Sequence, residues 1–247
     1  MEGFSCELRS MLNQRLFYCE DWSWRAPVFR DRWEGGAALA SLVRLLVERG
    51  YWRRPSIVYA IPAGGVPIGV VVSRVLGARL DLLVVKKVTY PWTTEAGFGA
   101  VAPDGRPIVD ADVAMQLGDE VVERQASVAW SKVRERLEKL RGTTRYPSLE
   151  GRVVLVVDDG IAAGWTMVAG IRFLQRLGAE TVYAAAPTAS LDGAERVAEY
   201  ADGVAVVNLR SGLYFAVADA YMEWRDLSDE EVVEILREAG WRGPVLE

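Results

Sequence analysis

Residues 153–166, VVLVVDDGIAAGWT, combine residue types that could do chemistry. Five apolar residues typical of a buried strand run directly into two adjacent carboxylates, Asp158 and Asp159. A stretch of small residues follows, ends in Thr166 and leads into an amphipathic segment that is predicted to form a helix. Because ligands of open parallel sheets bind beyond the carboxyl ends of the strands, this pattern predicts a binding site at 158–166.

The loop that follows the two carboxylates is predicted to bind an anion. Glycine and alanine allow the backbone to turn tightly around a ligand, and the free N–H groups and dipole of a helix N-terminus favour negative charge. The carboxylates could accept hydrogen bonds from sugar hydroxyls or hold Mg²⁺, so a sugar phosphate fits both halves of the site. A Walker loop does not fit, because Trp165 stands where that motif requires lysine. A strand that ends in a polar turn is the simpler alternative.

The composition excludes several classes of function. The 247 residues carry a formal net charge of -5 and contain no histidine, which excludes Ser–His and Cys–His nucleophilic mechanisms. The acidic balance gives no support for nucleic-acid binding, and no apolar run approaches the ~20 residues of a membrane span. The N-terminal residues lack the basic start and apolar core of a signal peptide. We therefore expect a cytoplasmic protein that binds neither nucleic acid nor membranes.

The two cysteines, Cys6 and Cys19, both lie near the N-terminus. Too few ligands are present for an ordinary zinc site, so free thiols in a reducing cytoplasm are the favoured interpretation. A disulfide is the alternative, because intracellular proteins of hyperthermophiles do carry them. Plentiful Arg, Glu and Val with sparse Asn and Gln favour a thermophilic source.

Strand and helix patterns alternate from residue 56 to residue 209 and predict an α/β fold: a doubly wound, mostly parallel sheet flanked by helices. We assign residues 51–209 to this core, and residues 1–50 and 210–247 to flanking segments that form a smaller hood lobe. The predicted strands are 56–62, 80–88, 153–157, 180–187 and 203–209, and the predicted helices are 36–49, 70–77, 113–141, 166–178 and 194–201.

Two segments between these elements need their own interpretation. Residues 89–112 contain Pro, Gly and Thr with little periodicity, and they are predicted to be a long loop or irregular hairpin that acts as a lid. The mixed charges of residues 131–141, SKVRERLEKLR, favour a solvated helix face.

The motif at 153–166 resembles the signature with which type I phosphoribosyltransferases bind phosphoribosyl pyrophosphate (PRPP). The resemblance implies that Asp158 and Asp159 bind the ribose 2'- and 3'-hydroxyls or hold Mg²⁺. It also implies that the following loop wraps the 5'-phosphate, mainly through backbone amides. Threonine is frequent in the family where Ala163 stands, and a small residue where Trp165 stands, but neither change removes the amides. The loop residues are Gly160, Ile161, Ala162, Ala163, Gly164, Trp165 and Thr166.

A second stretch, IPAGGVPIG at 61–69, resembles the pyrophosphate loop of the same family. Gly64 and Gly65 would let the backbone approach a diphosphate closely. Many members carry Arg or Lys where Ala63 stands, and Lys86 and Lys87 at the end of the next strand would supply the missing charge. A solvated strand end is the alternative interpretation of these two lysines.

The resemblance extends to the lid and the hood. Glu95 lies in TYPWTTEAGFGA at 89–100, where the family closes a flexible loop, and would act at the reacting centre. LYFAVADAYMEWRDLSDEE at 213–231 resembles the hood of purine-type members and of a sparsely characterised prokaryotic branch, as does FRDRWEGGAALA at 29–40. In that hood an aromatic residue stacks on the base, so Phe215, and next Tyr214, are the predicted base-binding residues unless they belong to the core.

The implied function is transfer of ribose 5-phosphate from PRPP to a nitrogenous base, expected to be a nucleobase, with release of pyrophosphate and Mg²⁺ as the cofactor. A homodimer is also expected. The base stays open, because Ala162 is unlike hypoxanthine-guanine enzymes whereas the hood resembles the purine branch. A non-catalytic regulator that binds PRPP or a nucleotide is an alternative that Ala63 supports. A phosphoryl-accepting receiver domain fits less well, because such domains are shorter and carry their acids early.

Overall fold

The computed structural model describes residues 4–93, 96–212 and 214–247. Seven strands form a main sheet and three form a small antiparallel sheet. In chain order the strands are β1 (Leu8–Met11), β2 (Leu16–Cys19), β3 (Ile57–Ala60), β4 (Arg79–Leu82), β5 (Lys86–Thr89), β6 (Gly97–Val101), β7 (Pro107–Val109), β8 (Val153–Val157), β9 (Thr181–Ser190) and β10 (Gly203–Arg210). The helices are α1 (Arg32–Glu48), α2 (Gly65–Leu76), α3 (Ala111–Leu117), α4 (Asp119–Arg141), α5 (Trp165–Arg176), α6 (Leu191–Ala198) and α7 (Asp229–Glu238).

The main sheet has the order β1-β2-β10-β9-β8-β3-β4. All its pairings are parallel except that of β1 with β2. One face packs on α1 and α2, and the other packs on α5 and α6. The fold class predicted from the alternating pattern, a mostly parallel sheet with helices on both faces, is confirmed.

Strand β8 lies near the centre of the main sheet, and all five of its residues are buried. Burial on both faces explains the continuous apolar run VVLVV, because neither side of a central parallel strand meets water. The chain leaves this strand directly at Asp158, so the two carboxylates stand at the carboxyl edge of the sheet.

The strand predicted at 80–88 is instead two strands in different sheets, and that prediction was wrong. β4 ends at Leu82, and β5 begins at Lys86 in the small sheet with order β5-β6-β7. The connecting residues 83–85 are buried against both sheets, so the apolar run continues across the break. Hydrophobicity alone cannot reveal a strand end when both neighbours of that end are buried.

Within residues 89–112, β6 and β7 pair as an antiparallel hairpin, which agrees with the second of the two predicted alternatives, and the lid role stays a prediction. The helical segment predicted at 113–141 is divided at Gly118, whose φ of +80° ends α3 before α4 begins. Arg141, at the end of α4, is 3% exposed, so the expectation of a fully solvated charged face was wrong at this residue.

Strands β1 and β2 extend the main sheet beyond β10, although the N-terminal segment was predicted to belong to a hood. Cys6 and Cys19 form a disulfide with Cα atoms 5.0 Å apart, so the favoured expectation of free thiols was wrong. The hairpin pairs Leu8 with Cys19 and thereby brings Cys6 beside it, which the separation of 13 residues could not show. The C-terminal α7 packs on α2 and α4. The predicted division into core and hood stays a prediction.

Among the helices of the described residues, none combines the length and the apolar character required to cross a membrane.

Candidate functional site

A cavity of about 790 Å³ opens at the carboxyl ends of β3 and β8. It collects almost all the residues that the two sequence motifs single out. Its lining includes Ala63, Gly64, Lys86, Lys87, Asp158, Asp159 and the whole loop from Gly160 to Thr166. Gly65 lies behind this lining, against the end of β8.

The two carboxylates are partly buried and stand in different environments. Asp159 accepts a hydrogen bond from Arg32 Nε at 2.8 Å, and its own amide donates to Asp158 Oδ1 at 2.8 Å. Burial raises the pKa of the Asp158 carboxyl well above its usual range, and the neighbouring Asp159 raises it further. Burial also raises the pKa of Asp159, while Arg32 opposes that shift. The two carboxylates therefore concentrate negative charge at the end of β8, and Arg32 pairs with one of them.

Arg32 is a site residue that the motif analysis missed. It occupies the first turn of α1, and its guanidinium lies 3.8 Å from the ring centre of Trp224. It also donates to the carbonyl of Arg225 at 2.8 Å, while Tyr221 Oη donates to the Asp159 carbonyl at 2.6 Å. The one signal in the sequence was the resemblance of residues 29–40 to the prokaryotic branch, which carries no information about the partner 127 residues later.

The loop 160–166 is held by hydrogen bonds through its backbone groups. Ser190 Oγ donates to the Ala162 carbonyl at 2.7 Å, Arg196 donates to the Ala163 carbonyl, and the Ile161 amide donates to Thr188. Among the described residues, no protein acceptor is found for the amides from 162 to 166. The loop and the start of α5 therefore have backbone N–H groups without a protein partner, as an anion site requires.

Gly164 is the position where this loop needs glycine. Its φ is +84°, and a Cβ there would lie 2.8 Å from the carbonyl oxygen of Gly193. Trp165, the predicted departure from the family pattern, packs its ring under the guanidinium of Arg196, 4.6 Å from the ring centre. Because Arg196 also binds the Ala163 carbonyl, Trp165 helps to brace the loop.

The second motif packs directly on the first. A Cβ on Gly64 would lie 1.8 Å from Asp159 Oδ2, and a Cβ on Gly65 would lie 2.9 Å from the Val157 carbonyl oxygen. The two glycines therefore allow contact between the loops, in addition to the predicted approach of a diphosphate. The Pro62–Ala63 peptide within this loop is cis.

The basic side of the cavity contains one cation that the sequence analysis did not select. Lys86 and Lys87 line the cavity from the start of β5, not from the end of the strand predicted at 80–88, and Arg136 of α4 lines it beside them. Arg136 Nη1 donates to the Pro62 carbonyl at 3.0 Å, and its Nε donates to Asp229 at 2.8 Å. Burial lowers the pKa of the Lys86 ammonium, and Arg136 lowers it further by repulsion.

Two predicted residues, Tyr214 and Phe215, are not brought to the cavity. Tyr214 is 96% exposed, and Phe215 packs under the guanidinium of Arg210, 4.3 Å from its ring centre. Neither ring lines the cavity, whereas Trp224 and Val217 of the same segment do. Glu95 lies outside the described residues. The roles predicted for these three residues stay predictions.

The described residues contain no group of three or more Cys, Asp or Glu side chains that could hold a metal by themselves.

Comparison with known proteins agrees with the geometry. The family model for a phosphoribosyl transferase domain matches residues 34–212. Two Mycobacterium tuberculosis proteins that carry phosphoribosyl transferase names are 36% identical over 217 residues, which make up 86% of this chain and 47% of each relative. The chain thus spans about half the length of these relatives.

Two further similarities involve proteins of other bacteria. The crystal structure of TT1426 from Thermus thermophilus covers 87% of this chain and 99% of its own, with a TM-score of 0.68 and 31% identity. The adenine phosphoribosyltransferase of Bordetella avium is 53% identical over 51 residues, which are 20% of this chain and 28% of that protein. The matched domain covers the cavity-forming core, and the resemblance noted in the sequence is confirmed: the chain belongs to the phosphoribosyl transferase domain family.

Proposed function

We propose that the protein transfers ribose 5-phosphate from PRPP to a nitrogenous base, a nucleobase, with release of pyrophosphate. The observation that carries this proposal is the convergence of three different groups on one cavity. Two carboxylates, a loop of unused amides and a set of cations all line it. PRPP presents sugar hydroxyls, a 5'-phosphate and a diphosphate, and each would meet the group that its chemistry requires.

The roles of the residues follow from their chemistry. The amides of residues 162–166 would bind the 5'-phosphate, and Thr166 would add a hydroxyl. Asp158 and Asp159 would accept hydrogen bonds from the ribose hydroxyls. The diphosphate would lie near Gly64 with Lys86 and Lys87, at the far side of the cavity.

The two carboxylates also fit Mg²⁺. Both supply hard oxygen ligands, and Mg²⁺ prefers one or two carboxylates together with phosphate oxygens and water. Burial and mutual repulsion raise the pKa of Asp158, so a cation beside it would relieve an existing electrostatic cost. When bound, Mg²⁺ would neutralise charge that develops on the departing pyrophosphate.

The reaction needs little from the protein beyond alignment and charge. A ring nitrogen of the base forms a bond to C1 of the ribose, the bond from C1 to the diphosphate oxygen breaks, and the proton that the ring nitrogen gives up is taken by the departing pyrophosphate. The electron pair of the broken bond leaves on the pyrophosphate, next to the lysines, and the protein holds both reactants in line and excludes water. No histidine is required, in agreement with the composition.

The acceptor would enter beside the C-terminal segment. Val217, Trp224 and Leu227 are the apolar residues that this segment contributes to the cavity lining, and Asp226 adds a polar group. The guanidinium of Arg32 lies over the Trp224 ring, so this side of the cavity offers the acceptor a cation as well as apolar surface. A homodimer, a cytoplasmic location and a thermophilic source stay predictions.

A non-catalytic PRPP-binding regulator is the second candidate, because Ala63 replaces the basic residue that many members carry and Arg32 already pairs with Asp159. Measuring pyrophosphate release from PRPP across a panel of nucleobases, with and without Mg²⁺, separates the two. Release with at least one base supports the transferase. PRPP binding without release from any base supports the regulator, and absence of PRPP binding overturns both.

A further inference from the structure

The pyrophosphate loop of this protein lacks cationic side chains of its own. Residues 61–65 read Ile-Pro-Ala-Gly-Gly, so the loop offers backbone groups but no balancing charge to a diphosphate. If the proposed function holds, the charge must come from another element. We infer that α4 supplies it, through Lys132 and Arg136.

A second cavity, of about 380 Å³, gives the location. Four cationic side chains line it: Lys86, Lys87, Lys132 and Arg136. It shares Asp158, Thr166, both lysines of β5 and Arg136 with the larger cavity, so the two cavities adjoin, and Pro62 lines the smaller one.

The two α4 residues reach this space together. Lys132 and Arg136 are four residues apart on a helix and therefore share one face. Lys132 forms no ion pair within the described residues, and neither do Lys86 and Lys87. Three ammonium groups without an ion pair thus line a small cavity together with Arg136 and the single carboxyl of Asp158, and an anion would stabilise this arrangement.

Arg136 is fixed against the loop itself. Its Nη1 binds the Pro62 carbonyl at 3.0 Å, and its Nε and Nη2 bind Asp229 at 2.8 and 2.6 Å. A guanidinium has five N–H donors, so two remain for a ligand after these three bonds. Arg136 therefore stands next to Ala63 with donors to spare, in the place where the loop lacks a basic side chain.

The charges of the cluster repel one another while no anion is bound. Arg136 and Lys132 both lower the pKa of the Lys86 ammonium, after burial, and Asp229 alone opposes them. Asp229 is already paired with Arg136 and Lys139, so it does not neutralise the three lysines and the cavity keeps a net positive charge. The ligand class is a diphosphate: free pyrophosphate or the diphosphate of PRPP.

The test compares two α4 variants with a matched control by calorimetry in Mg²⁺. Lys132→Gln and Arg136→Gln remove cavity charges, and Arg134→Gln removes an equal charge from an exposed position of the same helix outside the cavity. Ligands are pyrophosphate and ribose 5-phosphate. Each cavity variant should weaken pyrophosphate about 10-fold or more and leave ribose 5-phosphate unchanged, and the control should change neither.

The outcomes separate this inference from the function on which it rests. Unchanged pyrophosphate affinity in Lys132→Gln and Arg136→Gln, with ribose 5-phosphate still bound, overturns the inference and leaves the proposed function standing. A wild-type protein that binds neither ligand overturns the proposed function itself. Equal losses in all three variants would reduce the effect to net charge and also overturn the inference. If Arg136→Gln fails to fold, the exposed Lys132→Gln decides alone.

Discussion

Two partly or fully buried arginine–aspartate pairs, Arg141–Asp81 and Arg32–Asp159, have the same N–O distance of 2.8 Å and different surroundings. The first is bidentate, with both side chains 0% exposed. The second is joined through Nε alone, with side chains 9% and 14% exposed, and lines the candidate site.

Both partners of the Arg141–Asp81 pair make further hydrogen bonds to the protein. Asp81 also accepts hydrogen bonds from the amides of Leu82 and Val245, and Arg141 donates to the Val245 carbonyl and lies 3.8 Å from the ring centre of Tyr146. The pair therefore ties the end of α4 to β4 and to the C-terminal residues. Such a pair serves the fold, since every strong hydrogen-bonding group in it is already used.

The carboxylates at the site accept fewer hydrogen bonds from the protein than Asp81 does. One oxygen of Asp159 accepts a hydrogen bond from Arg32, and within the described residues the neighbouring Asp158 accepts one from a backbone amide. These carboxylates can therefore exchange protein partners for a ligand, which the carboxylate of Asp81 cannot. The difference between the pairs predicts different responses to substitution.

The largest effect is expected from removing both site carboxylates. Asp158→Asn with Asp159→Asn should lower PRPP affinity by at least about 100-fold, because each hydrogen bond to a charged group contributes ~1.5–3 kcal/mol. The fold should remain intact, since neither side chain belongs to the core. Calorimetry with PRPP and Mg²⁺ measures the loss, and undiminished affinity would contradict the assignment of the site.

Breaking the Arg141–Asp81 pair should lower the stability of the protein and leave its affinity for PRPP unchanged. Arg141→Met leaves Asp81 as an uncompensated buried charge and should lower the free energy of unfolding by about 3–5 kcal/mol. PRPP affinity of the folded protein should not change. Urea denaturation measures the stability. The double variant Arg141→Met with Asp81→Leu serves as control and should recover much of the loss, because no charge is then left buried.

A smaller loss of stability is expected from Arg32→Met, about 1–3 kcal/mol, because Asp159 retains some access to water. This loss should shrink as the pH falls. Arg32 opposes the rise in the pKa of Asp159, so its removal raises that pKa further, and a protonated Asp159 no longer needs a cation. Denaturation of wild type and variant at several pH values tests the trend. A loss that is constant with pH would mean that Arg32 acts mainly through its packing on Trp224.

Much of the fold could be predicted because the central strands are buried on both faces. The largely apolar runs VVLVV and GVAVVNL predict buried strands. Asp158 and Asp159 mark the strand end where a ligand is expected. The same reasoning failed at residues 80–88, where a buried connection hides the change of sheet.

The rest of the site depends on contacts between distant parts of the chain. Arg32 meets Asp159 across 127 residues, and Arg136 meets the Pro62 carbonyl across 74. On a helix of alternating charges, nothing in the local pattern distinguishes Arg136, which faces a cavity, from an exposed neighbour. The aromatic residue of the C-terminal segment that lines the cavity, Trp224, lies in a stretch without periodicity, so sequence spacing could not select it over Phe215.

The smallest expected effect is a gain in stability from a single substitution at the site. Burial and Asp159 raise the pKa of Asp158 above its value of 3.8 in an unfolded chain. A carboxyl with a raised pKa in the folded state stabilises the fold fully below its unfolded pKa, and this contribution is lost as the pH rises through the folded pKa. At neutral pH the ionised Asp158 therefore costs stability in the ligand-free protein.

Asp158→Asn removes that cost, because asparagine keeps the shape of the side chain without its charge. The ligand-free variant should therefore melt at a higher temperature than the wild type at pH 7, and the difference should shrink steadily as the pH is lowered towards about 4, where the wild-type carboxyl is itself protonated. Asp81→Asn is the matched control, since its carboxylate is paired and its loss should destabilise the protein at pH 7. Thermal melts from pH 4 to pH 8 decide the matter. Destabilisation by both substitutions at pH 7 would show that Asp158, like Asp81, is held by the fold, and the distinction between the two pairs would fail.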